Sequence, residues 1–360
     1  MTVNNYKSIR NSKKYLIQLF TVIYFNNMPN IKSFYVTVLS QSLSPCEQFL
    51  AAGTNFGNVN IFNIKTLYQE DVNQGPRDLL TLPQKCFSVN EKSLQAMTSS
   101  NDNLMIGGKN CIQGFSWNDL VAPKKSDLEV KPCWTVDLRL PTDFGSKETV
   151  DCLISGDNFS AYAACGDNNV HHVDLEYGKV KLTFSGHTDF IHSMSQIGNQ
   201  LSSASEDGTV CIWDARKPKP VHVITPHSEP KLNRPHLGKW IGAVTMNEDW
   251  LVCGGGPHLG LYHLRSLTMS KVLLEDDTHG VNNVLFHEDS IIVGVDGPFV
   301  YHCLFSGDIT VKMPTSALRV YSVCLQKKDA NKLLFVGGSG GDIDICAGTK
   351  LQDQVVRCLS

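Results

Sequence analysis

Apolar and polar residues alternate with a period of two in short runs along most of this chain. That spacing places the runs in half-buried β-strands rather than helices. The runs come in threes: Val36–Ser42, Phe49–Gly53 and Val59–Asn63; Ser93–Met97, Leu104–Gly108 and Cys111–Trp117, a weaker set; and Val150–Ile154, Ala161–Cys165 and Val170–Leu175. Later sets are Ile241–Met246, Trp250–Cys253 and Leu259–Leu264; Val281–His287, Ser290–Val295 and Phe299–Phe305; and Val320–Leu325, Lys332–Gly337 and Asp342–Cys346. Short polar turns such as Asn55-Phe56-Gly57 separate the second and third runs of a set. No long amphipathic helix is evident, so the pattern predicts an all-β chain built from a repeated unit.

Residues 186–214 supply the template for that unit. A Gly186-His187 pair opens it, Asp207-Gly208 makes a turn, and Ile212-Trp213-Asp214 closes it. This is the signature of a WD40 blade, a four-stranded antiparallel sheet that cannot bury its own faces and so needs neighbours. Phe62, Phe115, Val173, Tyr262, His302 and Cys346 match Trp213 in the other sets, at spacings of roughly 40 to 58 residues. The expected fold is a seven-bladed WD40 β-propeller over residues 31–360. Residues 119–148 and 216–236, rich in Pro, Lys and polar residues, read as loops around outer strands Trp134–Leu138 and Val221–Thr225. Leu351–Ser360 offers an outer strand for blade seven. The pattern leaves open which strand closes the ring.

Length alone, 360 residues, suggests two domains, but the repeat overrides it. A net charge of −3 supplies no general positive field for phosphate binding, so any RNA contact is expected to be indirect or local. None of the twelve cysteines forms a C-x-x-C pair, and many sit in strand runs, as core thiols of a reducing compartment do. Residues 1–30 read as a poorly ordered extension. Lys7, Arg10, Lys13 and Lys14 precede an apolar run, Tyr15–Phe25, but Asn26-Asn27-Met28-Pro29 is a poor cleavage site. The run is too short to cross a bilayer, and Met28 offers an alternative start. The sequon Asn158-Phe159-Ser160 means little in an intracellular protein.

His187, Ser203, Asp207 and Trp213 occupy the positions of a WD40 hydrogen-bonded tetrad. A Ser-His-Asp catalytic triad is the competing reading. The structural one is preferred because the repeat itself requires these residue types, and a staple inside a sheet leaves no room for substrate. Gly337-Gly338-Ser339-Gly340-Gly341 matches a hydrolase elbow, but a strand-like run follows where a helix is needed, which predicts a hairpin turn. Gly254-Gly255-Gly256-Pro257 lacks the lysine and spacing of a phosphate loop. His171 and His172, near Asp167 and Asp174, suggest a metal, but adjacent strand residues face opposite ways. Lys124-Lys125, Arg216-Lys217-Pro218-Lys219 and Lys327-Lys328 read as solvated loop charge. A propeller enzyme would need acids or histidines converging at the inner-strand starts, and no such set recurs in every blade. No cofactor, metal or small-molecule substrate is expected.

Longer runs go beyond a generic blade. They are Leu39–Cys46 followed by Phe49–Gly53; Phe184–His192; Arg234-Pro235-His236; Gly238–Gly242; Asp249–Pro257; and His263–Ser266. Together these resemble the subunit 6 family of the THO complex. The match is best in blade one and residues 184–266, persists in order to about residue 346, and is absent from residues 1–30. The resemblance implies a non-enzymatic propeller in the nuclear THO assembly, which couples transcription and processing to mRNA export within the TREX complex. It implies a coiled-coil partner, THO subunits 5 and 7, and a nuclear location with nuclear speckles as a candidate compartment. Arg234, His236, Lys239, Trp240 and Trp250 are the expected partner-binding residues, since aromatic and arginine side chains lead interface hot spots; the alternative for the two tryptophans is blade-five core. Trp213-Asp214-Ala215-Arg216 also resembles the box by which some propellers dock on a cullin-4 ubiquitin-ligase adaptor, with Asp214 and Arg216 as the contact.

Overall fold

The computed structural model describes residues 35–359 apart from 68–81, 90–92, 123–129, 141–147, 158, 329–331 and 349–350. The N-terminal extension, Lys124-Lys125 and Asn158 of the sequon therefore lie outside the described residues. Val36–Ser360 is one structural unit. It is built from seven four-stranded antiparallel sheets, and the seven-bladed expectation holds.

Blade one contains β1 (Val38–Leu43), β2 (Phe49–Thr54), β3 (Asn58–Asn63) and β4 (Lys85–Ser88). Blade two contains β5 (Met97–Ser100), β6 (Asn103–Gly107), β7 (Cys111–Ser116) and β8 (Trp134–Asp137). Blade three contains β9 (Val150–Ser155), β10 (Ser160–Cys165), β11 (Asn169–Asp174) and β12 (Lys179–Ser185). Blade four contains β13 (Ile191–Ile197), β14 (Gln200–Ser205), β15 (Val210–Asp214) and β16 (His222–Ile224). Blade five contains β17 (Ile241–Met246), β18 (Trp250–Gly255), β19 (Leu259–His263) and β20 (Thr268–Leu274). Blade six contains β21 (Val281–His287), β22 (Ser290–Val295), β23 (Phe299–Leu304) and β24 (Ile309–Pro314). Blade seven contains β25 (Val320–Leu325), β26 (Leu333–Gly338), β27 (Asp342–Ala347) and β28 (Leu351–Arg357). The first strand of blade two starts at Met97 rather than Ser93, because Leu94 is held outside the sheet by a bond from its N–H to the Thr54 carbonyl.

Seven apolar clusters lie between consecutive blades, and each draws on both. The blade-three/four cluster joins Tyr162, Ala164 and Phe184 to Leu201, Cys211 and Trp213. The blade-seven/one cluster joins Phe335, Ile343 and Val356 to Val38, Leu50 and Phe62. Every blade therefore buries its faces only because it has two neighbours, and the inner strands touch in sequence all the way round, β25 meeting β1. The residue that plays the part of Trp213 in blade six is Cys303, not His302. Cys303 pairs with Ile291, as Trp213 pairs with Leu201, and lies in the blade-five/six cluster.

The ring closes without a shared strand. Blade seven takes all four of its strands from the C-terminal part of the chain, with β28 outermost. Closure rests on the apolar cluster and on polar contacts across the seam. Gly340 N–H donates to the Val36 carbonyl at 3.1 Å, the Gln41 amide to Ser322 Oγ at 2.8 Å, and Gln326 to the Glu47 carbonyl at 2.9 Å. Among the described residues no helix is long and apolar enough to cross a membrane.

Candidate interaction site

Up-and-down strand order gives the ring two distinct faces. The loops that lead into each inner strand and the turns between second and third strands lie on one, here the upper face. First-to-second and third-to-fourth turns lie on the lower face.

On the upper face of blade four the tetrad is assembled. Trp213 Nε1–H donates to Ser203 Oγ at 2.8 Å, Ser203 Oγ lies 2.7 Å from His187 Nε2, and His187 Nδ1 lies 2.9 Å from Asp207 Oδ2. Asp207 also accepts the Thr188 and Thr209 amides and the Thr209 hydroxyl. Burial opposes its ionisation, but these bonds, led by that from His187, outweigh burial and hold the carboxyl well below the usual carboxylate range. The donor order is that of a hydrolytic triad, yet Ser203 is wholly buried under the Trp213 indole. A nucleophile needs a reachable oxygen, so this is a staple. The turn requires Gly208, at φ +88°, and the stem of Lys239 packs directly on it.

Blade five replaces that staple with a different lock. Arg234, in the loop leading into β17, is 3 % exposed. Its guanidinium donates only to backbone carbonyls: those of Gly255, Gly256 and Pro257 in the next turn, at 2.9, 2.7 and 3.1 Å, and those of His279 at 2.9 Å and Asp276 in the following loop. Five donors in a fixed planar fork suit this arrangement. Burial lowers the Arg234 pKa, with Asp276 and Asp277 opposing the shift. Gly255 and Gly256 are needed because the backbone approaches so closely. A Cβ on Gly255 would lie 2.3 Å from the Trp240 carbonyl, and one on Gly256 2.3 Å from the Gly238 carbonyl. Trp240 in turn packs across Gly242 and Gly280, whose added Cβ atoms would fall 2.5 and 2.6 Å from the indole. The Arg-Pro-His, Trp-Ile-Gly and Gly-Gly-Gly-Pro runs are thus one knot spanning blades four, five and six.

This knot corrects two of the expected partner residues. Arg234 is consumed internally and presents nothing to a partner. Trp250 lies at the far end of β17 from Trp240, across six residues or roughly 20 Å of strand. Its half-buried ring packs against His263 and Phe305 on the lower face. His236 and Lys239 are exposed, and Trp240 is half-buried and meets His192 in a T-shaped pair. His236 Nε2 lies 2.9 Å from the Asp277 carbonyl, and His192 Nε2 lies 2.7 Å from Glu206. Asp214 and Arg216 lie on the lower face. The Arg216 guanidinium is 73 % exposed but holds Asp214 through two bonds of 2.7 and 2.8 Å. Those bonds bring the Asp214 carboxyl down to about 2.

A feature absent from the sequence pattern sets the chemistry of the central channel. In six blades the inner strand skips one partner near its upper end, a β-bulge that re-aims the extra side chain. The skipped residues are Leu39, Asp151, His192, Gly242, Asn282 and Tyr321, and all line the channel, a cavity of about 970 Å³. One histidine and one acid are among them, and Glu206, 2.7 Å from His192, lines the same channel. In blade three, His171 bonds Asp167 at 3.0 Å and Thr183 at 3.1 Å, whereas His172 stacks on Tyr162 with centroids 4.5 Å apart. The two histidines do face opposite ways. Cys165 joins Asp167 and His171, the three ligand atoms lying within 4.8 Å of one another. Burial first, then Asp167 and Asp151, keep the Cys165 thiol well above its usual range. Ser339 lies in the hairpin between β26 and β27, as expected.

Acid should loosen these locks in two steps. His172 and His258 have lowered pKa values, burial being the first cause in each, so the unfolded chain binds their protons sooner and stability falls as pH drops below about 6.5. Asp207 and Asp276 are held low in the folded chain, so their contribution is complete above the unfolded carboxylate value, about 4, and fades beneath it. Thermal melts from pH 8 to pH 3 should show both declines. Asp207→Asn should flatten the second; an unchanged slope would show that Asp207 is not bonded as described.

Residues 178–214 match the family described as WD domain, G-beta repeat. The chain is 32 % identical over 321 residues to THO complex subunit 6 homolog of Danio rerio, covering 88 % of this chain and 96 % of that protein. It is 30 % identical over 332 residues to THO complex subunit 6 of Drosophila melanogaster, covering 91 % of each. Its fold is similar to that of the WD40 β-propeller domain of Doa1, with TM-score 0.62 at 14 % identity over 84 % of this chain and 90 % of that one. The identity to these relatives extends over nearly their whole length, and the chain belongs to the THO complex subunit 6 family.

Proposed function

We propose that this protein is a non-catalytic scaffold subunit of the nuclear THO/TREX assembly. It supports assembly of the complex and so the coupling of transcription and mRNA processing to mRNA export. The observation that carries this reading is the knot. Residue types that in another setting would do chemistry are spent on holding the ring, and they fix the upper face around His236, Lys239 and Trp240. A rigid ring that presents a half-buried tryptophan flanked by exposed polar groups suits a helical partner laid across it. The coiled-coil pair formed by THO subunits 5 and 7 is that partner. Any RNA contact is indirect, and the site of action is the nucleus, with speckles as the compartment to examine.

The test is affinity purification from nuclei, with the double variant His236→Glu, Lys239→Glu beside the unaltered chain. Loss of subunits 5 and 7 by about tenfold or more, with an unchanged melting temperature, is expected. Normal recovery would remove the upper face from consideration. A second reading, a substrate receptor on a cullin-4 ligase adaptor, is favoured only by the exposure of Arg216 on the lower face. Arg216→Ala in the same experiment separates the two, because it should leave THO association untouched.

A further inference from the structure

The seam between blades seven and one has no shared strand, and two cysteines stand on either side of it. Cys86 lies in β4, directly opposite Asn60 in β3. Directly opposed residues of an antiparallel pair project from the same face of the sheet. The Asn60 side chain points across the seam: it accepts the Leu359 N–H at 2.9 Å and donates to the Leu359 carbonyl at 3.4 Å. Leu359 adjoins Cys358, whose own N–H donates to the Gly341 carbonyl at 2.7 Å in blade seven. Cys358 is 4 % exposed and belongs to the cluster that joins blade seven to Leu50, Phe62 and Ile64 of blade one. Cys86 therefore faces the segment that carries Cys358; the residue is exposed, although partial burial pushes its thiol up.

We propose that Cys86 and Cys358 are an oxidation-sensitive pair whose disulfide staples the ring at its closing seam. Both are free thiols in this structure. The Cys358 thiol is held above its usual range first by burial and then by the charges of Cys86 and Asp342. The oxidant is a peroxide. The Cys86 sulfur attacks hydrogen peroxide, its O–O bond breaks, and a sulfenic acid and one water form. The Cys358 sulfur then displaces the hydroxyl, an S–S bond forms, and the thiol proton leaves with that hydroxyl as a second water. Two thiols are oxidised and one peroxide is reduced to two waters. The bond would tie the first blade to the last, with nearly the whole propeller between its ends, where a cross-link restricts the unfolded chain most.

The full chain, purified with reductant and then freed of it, is treated with hydrogen peroxide, blocked with N-ethylmaleimide, digested unreduced and mapped by mass spectrometry. A peptide pair joined through Cys86 and Cys358 is expected, with a melting temperature raised by roughly 5 °C and restored by dithiothreitol. Cys86→Ser, a change at an exposed position, should abolish both effects. Cys46→Ser, at another exposed thiol, should abolish neither. Cys86 found over-oxidised or joined to a second molecule, with Cys358 still free to react once the chain is unfolded, would overturn the proposal.

Discussion

Arg234→Ala is expected to destabilise the folded chain by on the order of 4 kcal/mol and to lower its melting temperature by roughly 10 °C. The side chain supplies hydrogen bonds to five carbonyls in two loops, and alanine leaves those acceptors without their donor. Hydrogen bonds from a charged donor contribute about 1.5–3 kcal/mol apiece and are not additive here, because water entering the opened loop replaces some of them. Arg234→Lys should recover less than half, since a compact ammonium with three donors cannot serve five carbonyls in two loops. Amide exchange should quicken at residues 255–257 and 276–280 before it quickens elsewhere. A melting temperature unchanged by Arg234→Ala, together with lost partner binding, would return Arg234 to the surface role that its residue type suggests.

Trp213→Ala should be as damaging, at about 3–5 kcal/mol, through loss of buried aromatic volume. The indole is 1 % exposed, meets Phe184 edge-on with centroids 5.6 Å apart, and anchors the blade-three/four cluster. Trp213→Phe keeps most of the packing and removes only the bond to Ser203, so about 1 kcal/mol is expected. His187→Ala falls between them, since it leaves Ser203 and Asp207 each short of a partner. Denaturant titration of the three variants checks the order. Equal losses for Trp213→Ala and Trp213→Phe would show that the hydrogen-bond chain, not the packing, holds the blade.

Blade four was legible because its turn and its polar chain are written in side chains: Gly186-His187, Asp207-Gly208 and Trp213-Asp214. The inner three strands of most blades were legible for a similar reason, each burying a core stripe at period two. The outer strands β4, β12, β20 and β24 were not. They pair along one edge only, and their half-exposed residues carry a weak pattern. The anchor of blade six was misplaced by one residue because His302 and Cys303 are both buried and the β23–β24 register shifts between them. The lock of blade five was hidden for a deeper reason. Arg234 finds its partners among backbone carbonyls, which every sequence has and none displays. The Gly-Gly-Gly-Pro run marked the place, but its role shows only once the Trp240 and Gly238 carbonyls stand where Cβ atoms would be. The bulges at the channel mouth are equally silent, since one skipped partner barely disturbs the alternation. Trp240 and Trp250 looked like one surface because they are ten residues apart in a chain whose strands reverse direction between them.

A scaffold of this build is held by its upper face. Hydrogen–deuterium exchange of the chain alone and bound to THO subunits 5 and 7 reads this directly. Protection gained at residues 232–242, 256–258 and 275–280, with the lower face unchanged, is the predicted result. Protection confined to the lower-face turns at residues 174–179 and 214–220, or no protection in a complex that forms, would contradict it.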